Sequence, residues 1–269
     1  MKNLIILVCF FSVVGLAFGL PIILTNSNFE ENVEKVSLEE YSGEILNLVF
    51  EPLLTYPAIA LSSENVFKEH NEENCLTPNQ FRELLHLLEE KNYVVVNINN
   101  LVENGSPLLL PSGKKPVVLS FYDVSKNKSL GTTEKIIVSN SGAFLCETNV
   151  SWANPPFLDQ NENDYVSILE NFSKENPSFF VEPSKGTIIL NSENGFLGYK
   201  TQETNTENRQ QEIFSAEIVI NKLVEAGWTF KNYIYSPEML SPPNSLKTVI
   251  VNPKNYKTIL NANKKKRSK

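Results

Sequence analysis

The chain has 269 residues, 41% of them hydrophobic and 20% charged, which is ordinary globular composition and enough for one sizeable domain or two small ones. A formal net charge of −7 excludes a globally basic surface of the kind that grips nucleic acid. The one basic run, KKKRSK at residues 264–269, sits at the end of the chain, where a frayed, solvated tail is the ordinary outcome.

In chain order, the first segment is MKNLIILVCFFSVVGLAFG: one lysine, a long apolar run, then the small-x-small site Ala17-Phe18-Gly19. This reads as a secretory signal cleaved near Gly19. The apolar stretch continues to Leu24, nearly long enough to span a bilayer, so an uncleaved anchor over residues 1–24 is the alternative. Either way the body of the protein is exported. Residues 25–45 are polar and acidic and read as a spacer, 46–258 as the domain and 259–269 as a basic tail.

Within the domain, LTYPAIALS at residues 54–62 is expected as the first strand and turn. A well-marked helix follows: Thr77 as N-cap, Pro78 at the first helical position, Gln80 completing a capping box, and Phe81, Leu84, Leu85 and Leu88 as the apolar stripe. YVVVNI at 93–98 is a β-branched strand, and VVLSF at 117–121 is the central one. The runs KIIVS and AFLCE around Asn140-Ser141-Gly142 form a hairpin. A second helix carries Tyr165, Ile168, Leu169 and Phe172, and GTIILN is a short strand. A third helix runs from about Glu212 to Gly227, with Ile213, Ala216, Ile220, Leu223 and Val224 on one face, and WTFKNYIY is a strand. Strands alternating with helices imply an α/β fold with a largely parallel sheet. There is no internal repeat.

Four segments taken together, PNQFRELLHLLEEKNYVVVNINNLVENG, LPSGKKPVVLSFYDV, SFFVEPSKGTIILNSENGFLGYKT and VINKLVEAGWTFKNYIYSP, resemble secreted bacterial polysaccharide deacetylases of the NodB-homology type. The resemblance runs from about residue 54 to 237. It implies a partial or distorted (β/α) barrel and, in active members, hydrolysis of N- or O-acetyl groups on polysaccharides with zinc or another divalent metal. In that family a Thr/Ser-Phe-Asp-Asp strand supplies the general base and a metal ligand, and a later strand supplies two histidine ligands. An Arg-x-Pro-Tyr segment and a final histidine acid come after these. Here Ser120-Phe121-Tyr122-Asp123 matches the first motif, so Asp123 keeps the ligand position and Tyr122 stands at the base position. A phenol titrates near 10 against about 4 for a carboxylate, so it is a poor substitute for that base. Tyr233 and Pro237 stand where the two histidines belong, and the later elements have no match in the roughly thirty residues that remain.

The histidine count makes the same point without alignment. His70 and His86 are the two histidines of the chain, and both precede Asp123. His86 lies on its helix opposite Phe81 and Leu85 and His70 in a polar loop, so both read as solvated. A catalytic zinc needs three protein ligands and an open position, and only one inherited ligand remains. The expectation is therefore no cofactor and an exported, deacetylase-like protein without activity. The alternative is an active metal-dependent deacetylase with a rearranged site. Tyr122, Asp123, Tyr233 and Tyr235 form a candidate glycan-binding cluster, the rings either stacking on sugar or filling the vacated cavity as core. Trp152, Phe157 and Trp228 extend the aromatic set. Expected partners are a cell-wall or other polysaccharide, a membrane through the N-terminal segment, and a second copy through an exposed sheet edge. Nucleic acid is not expected.

Export permits a disulfide between Cys75 and Cys146 without requiring it, and Cys146 has no nearby histidine to activate it as a nucleophile. Asn-x-Ser sequons at Asn104, Asn127, Asn149 and Asn171 matter only in a eukaryotic secretory pathway, and the bacterial resemblance makes them chance.

Overall fold

The computed structural model describes residues 37–123, 129–153, 155–181, 183–190, 195–202 and 208–260. The expected signal or anchor at 1–24, the sequon at Asn127 and the basic run at 264–269 lie outside these residues.

Two strands form the spine of the fold. β2 (Glu44–Phe50) and β5 (Lys115–Tyr122) are near-continuous apolar runs, EILNLVF and KPVVLSFY, each with six buried positions. Such a run is buried on both faces, as strands of a parallel sheet are. Around them, β9 (Gly186–Ile189), β10 (Trp228–Lys231) and β11 (Ser245–Val251) complete a sheet in the order β10-β9-β5-β2-β11, with every neighbouring pair parallel. β3 (Tyr93–Val95) pairs with the start of β5 on the side that β9 occupies further along. Among the described residues β10 and β11 do not pair, so the sheet is open and not closed into a barrel.

Helices cover one face. α3 (Pro78–Glu90), α5 (Tyr165–Glu175) and α6 (Arg209–Glu225) bury their stripes against Leu46, Leu48, Phe50, Leu119 and Phe121 of the sheet. The capping box of α3 forms as expected: Gln80 N–H donates to Thr77 Oγ1 (3.3 Å) and Thr77 N–H donates to Gln80 Oε1 (2.9 Å). An antiparallel unit of β6 (Thr133–Val138), β7 (Phe144–Asn149) and β8 (Leu158–Asn161) packs beside this layer, its first turn closed by Gly142 at φ 83°. On the sheet's other face a second cluster joins Ile45, Val94, Val96, Val118, Tyr235 and Leu246, covered by α4 (Asn99–Asn104) and the segment around 235–240. Short pieces complete the chain: β1 (Leu38–Glu40) paired with β4 (Leu109–Pro111), α1 (Pro57–Ala60) and α2 (Lys68–Asn74).

Several expectations change. Residues 54–62 are not the first strand: Pro57 opens α1, and the true spine strand lies upstream at β2. Residues 38–45, expected as the end of a polar spacer, form β1 and the first two positions of β2. After Pro237 the chain still contributes a strand, β11, which pairs along the whole free side of β2. α6 starts three residues earlier than expected and buries Ala216, Val219 and Leu223, while Val224, expected on the buried face, is exposed.

Cys75 and Cys146 are both buried free thiols. Burial pushes the Cys146 thiol up to about 12 from its ordinary value near 9, with Asp164 adding to the effect. The folded state therefore binds that proton more tightly than the unfolded chain. Its contribution is intact below pH 9 and is lost as pH rises through the interval to 12, by about 1.4 kcal/mol per unit. Tyr199, also pushed up to about 12 by burial, acts in the same direction. Guanidinium midpoints measured from neutral to strongly alkaline pH should fall, and the fall should be shallower in Cys146→Ala. Cys75 and Cys146 should resist a thiol reagent until the domain is unfolded.

Candidate functional site

Because the strands of the sheet are parallel, their carboxyl ends gather at one edge, the usual place for a ligand site in such sheets. Tyr122 and Asp123 sit there at the end of β5, beside the ends of β9 and β10.

The alternation of a strand sends successive side chains to opposite faces. Asp123 is 1% exposed. Its two carboxylate oxygens accept from the backbone N–H of Leu197 at 3.0 and 3.1 Å, and its own N–H donates to Ile189 O at 2.9 Å. Leu197 is buried with φ 53°, in the left-handed region that a branched side chain rarely adopts. The next residue, Gly198, sits so close to β6 that a Cβ there would lie 2.1 Å from Glu134 O. Asp123 thus anchors a tight turn against the hairpin.

Beneath it, Asp123, Phe121, Ile136, Asp164, Tyr165, and Trp228 line a mainly apolar cavity. The space open to the centre of a water molecule is about 20 Å³, room for one water and not for a sugar ring. Asp164 caps α5 by accepting from Val166 N–H (3.0 Å) and also accepts from Thr133 Oγ1 (2.6 Å). Burial raises its carboxyl above the usual range, against both of those bonds.

Tyr122 also lines this cavity and is half-buried. The other candidate residues lie apart from it. Tyr233 is 38% exposed and meets Tyr235 edge-on at 6.1 Å. Tyr235 itself is 1% exposed, and its hydroxyl donates to Asn99 Oδ1 at 2.5 Å, so that ring is core. Pro237 is exposed at the start of a short 3-10 turn. Next to Tyr233, Lys231 pairs with Glu103, whose carboxylate holds the ammonium above the ordinary lysine range.

A row of small polar residues crosses the sheet and was not expected as a group. Ser120 Oγ donates to Asn47 Oδ1 (2.8 Å), and Asn47 Nδ2 to Thr248 Oγ1 (3.3 Å). Thr187 and Thr229 hydroxyls share a 2.9 Å bond, and Thr248 Oγ1 donates to Tyr235 O (3.0 Å). Each strand of the spine holds one such residue inside an otherwise apolar run. That interruption is the sequence signal for the row, but it becomes legible only once the register is known.

The donor set does not fit the zinc or other divalent ion that the resemblance implies. Among the described residues no three histidine, cysteine, aspartate or glutamate side chains converge as metal ligands. His70 is exposed on α2 and bonded to Asn74, and His86 is exposed on α3 with its ring 5.1 Å from Phe172.

No protein-family model, no curated protein and no solved structure matches the chain.

Proposed function

We propose that this chain is an exported polysaccharide-deacetylase-like protein that does not hydrolyse acetyl groups and instead binds glycan at the carboxyl edge of its parallel sheet. The observation that carries this reading is the placement of Asp123. The one carboxylate at the expected ligand position is buried and engaged by the Leu197 amide, above a cavity with room for a single water. A hydrolytic site needs an activated water, an open coordination position and space for the substrate. On the proposal, the open sheet is a partial (β/α) barrel of the deacetylase type. Tyr122 and Tyr233 supply the sugar-facing rings, and the Lys231–Glu103 pair supplies polar contacts. Tyr235, being buried, holds Tyr233 from behind.

Acetate release from acetylated chito-oligosaccharides and peptidoglycan, with zinc, cobalt or nickel added, should stay at the blank. Metal-dependent turnover abolished by Asp123→Asn would establish the alternative, an active deacetylase with a rearranged site. In a pull-down on cell-wall polysaccharide, Tyr122→Ala and Tyr233→Ala should each weaken retention by about 2- to 10-fold, the worth of one aromatic contact. Absence of retention by the parent protein would remove the binding half of the proposal.

A further inference from the structure

Lys231 and Glu103 are held beside Tyr233 by more than their own attraction. Asn99 and Glu103 stand one helical turn apart, so they share a face of α4. Asn99 Oδ1 accepts from the Tyr235 hydroxyl (2.5 Å), and Glu103 pairs with Lys231. Both ends of that turn are therefore tied to residues 231–235, where the chain leaves β10. The Tyr233 ring belongs to the same cluster. Lys231 Nζ stands 5.7 Å from its centroid, and Tyr235 meets it edge-on at 6.1 Å.

The charges of this cluster discriminate among glycans. Without Glu103, the ammonium of Lys231 would place an uncompensated positive charge beside the exposed ring of Tyr233. With it, the pair is locally neutral. The Lys231 side chain is 16% exposed and that of Glu103 51%, so the carboxylate is the more open of the two. A sugar that carries a carboxylate meets like charge first, and it reaches Lys231 only by displacing Glu103. The hydroxyls of an uncharged sugar require neither step. Asp123, the other charged group at this edge of the sheet, is 1% exposed and accepts from the Leu197 amide. The formal net charge of −7 adds a longer-range repulsion of polyanions in the same sense.

We propose that Glu103 is a specificity-determining residue, which by neutralising Lys231 reserves the Tyr233 surface for uncharged glycan and turns acidic polysaccharide away. This rests on the glycan reading of the sheet edge and adds to it the charge class of the ligand.

The charge preference is read as the ratio of retention on immobilised polygalacturonate to retention on immobilised chito-oligosaccharide, with the full-length chain. Glu103→Gln keeps an oxygen for Lys231 to bond and removes only the charge. In that variant the ratio should rise about 2- to 5-fold, the worth of one exposed ion pair. The rise should vanish at about 1 M salt, where the screening length falls to about 3 Å. Glu83→Gln removes the same charge from an exposed pair with Lys257 on α3, across the sheet from α4, and should leave the ratio as in the parent. No rise in Glu103→Gln, with the parent still retained on chito-oligosaccharide, overturns the assignment and leaves the glycan site standing. An equal rise in Glu83→Gln overturns it too, since net charge alone would then govern retention. A parent retained on neither support removes the glycan site, and this assignment with it.

Discussion

Phe121→Ala should lower the stability of the domain by about 3–5 kcal/mol and the melting temperature by roughly 10 °C. Phe121 is the ring on which the helix-side core converges. It stacks on Phe50 (5.1 Å), meets Phe81 edge-on (6.0 Å), and lies 4.6 Å from Tyr165 and 5.7 Å from Trp228. Those four rings come from β2, α3, α5 and the start of β10, so one side chain joins four elements. Truncation opens a cavity that these bulky neighbours can only partly collapse into. Guanidinium unfolding should show the loss as a lower midpoint with an unchanged slope.

A second substitution sharpens that test. A Cβ at Gly186 would lie 2.7 Å from the Phe121 ring. Gly186→Ala should therefore cost more in the parent protein than in the Phe121→Ala background, where the ring is gone. Strictly additive effects would show that Phe121 does not occupy the space assigned to it.

Asp123→Ala should cost about 2–3 kcal/mol, because it leaves the Leu197 N–H buried without its charged acceptor. The cost is sharpened by the left-handed conformation of Leu197, which the surrounding contacts must hold in place. Asp123→Asn keeps one acceptor oxygen and should lose about half as much. Thermal melts with chelator and with added zinc separate a structural anchor from a metal ligand. A structural anchor gives the same drop in both. A melting temperature unchanged by Asp123→Ala in chelator would mean that the turn stands without the carboxylate, and the reading of Asp123 as an anchor would be wrong.

The helices were the most legible part of the fold. Thr77, Pro78 and Gln80 announce the start of α3 because a cap is a local interaction among three neighbouring residues. The stripes of α3 and α5 repeat at helical spacing, and the hairpin turn at Asn140-Ser141-Gly142 is equally local. The strands were harder to place. β2 begins inside the expected spacer and continues through the first residues of the domain, where a near-continuous apolar run has no periodicity of its own to mark it, and β11 mixes Ser245, Lys247 and Thr248 with apolar residues in no clear alternation.

The candidate site divides along the same line. Composition and order alone established that no histidine follows His86, that Tyr122 precedes Asp123 at a strand end, and that Tyr233 and Pro237 supply no imidazole. Whether Asp123 faces a cleft or a backbone amide depended on Leu197, seventy-four residues away. The burial of Tyr235, the exposure of Tyr233 and the polar row from Thr248 to Thr229 were decided in the same way, by strand register and by what packs across each face. Caps and turns are settled by residues a few positions apart. A side chain's partner across a parallel sheet comes from a distant stretch of chain, so only the assembled fold determines it.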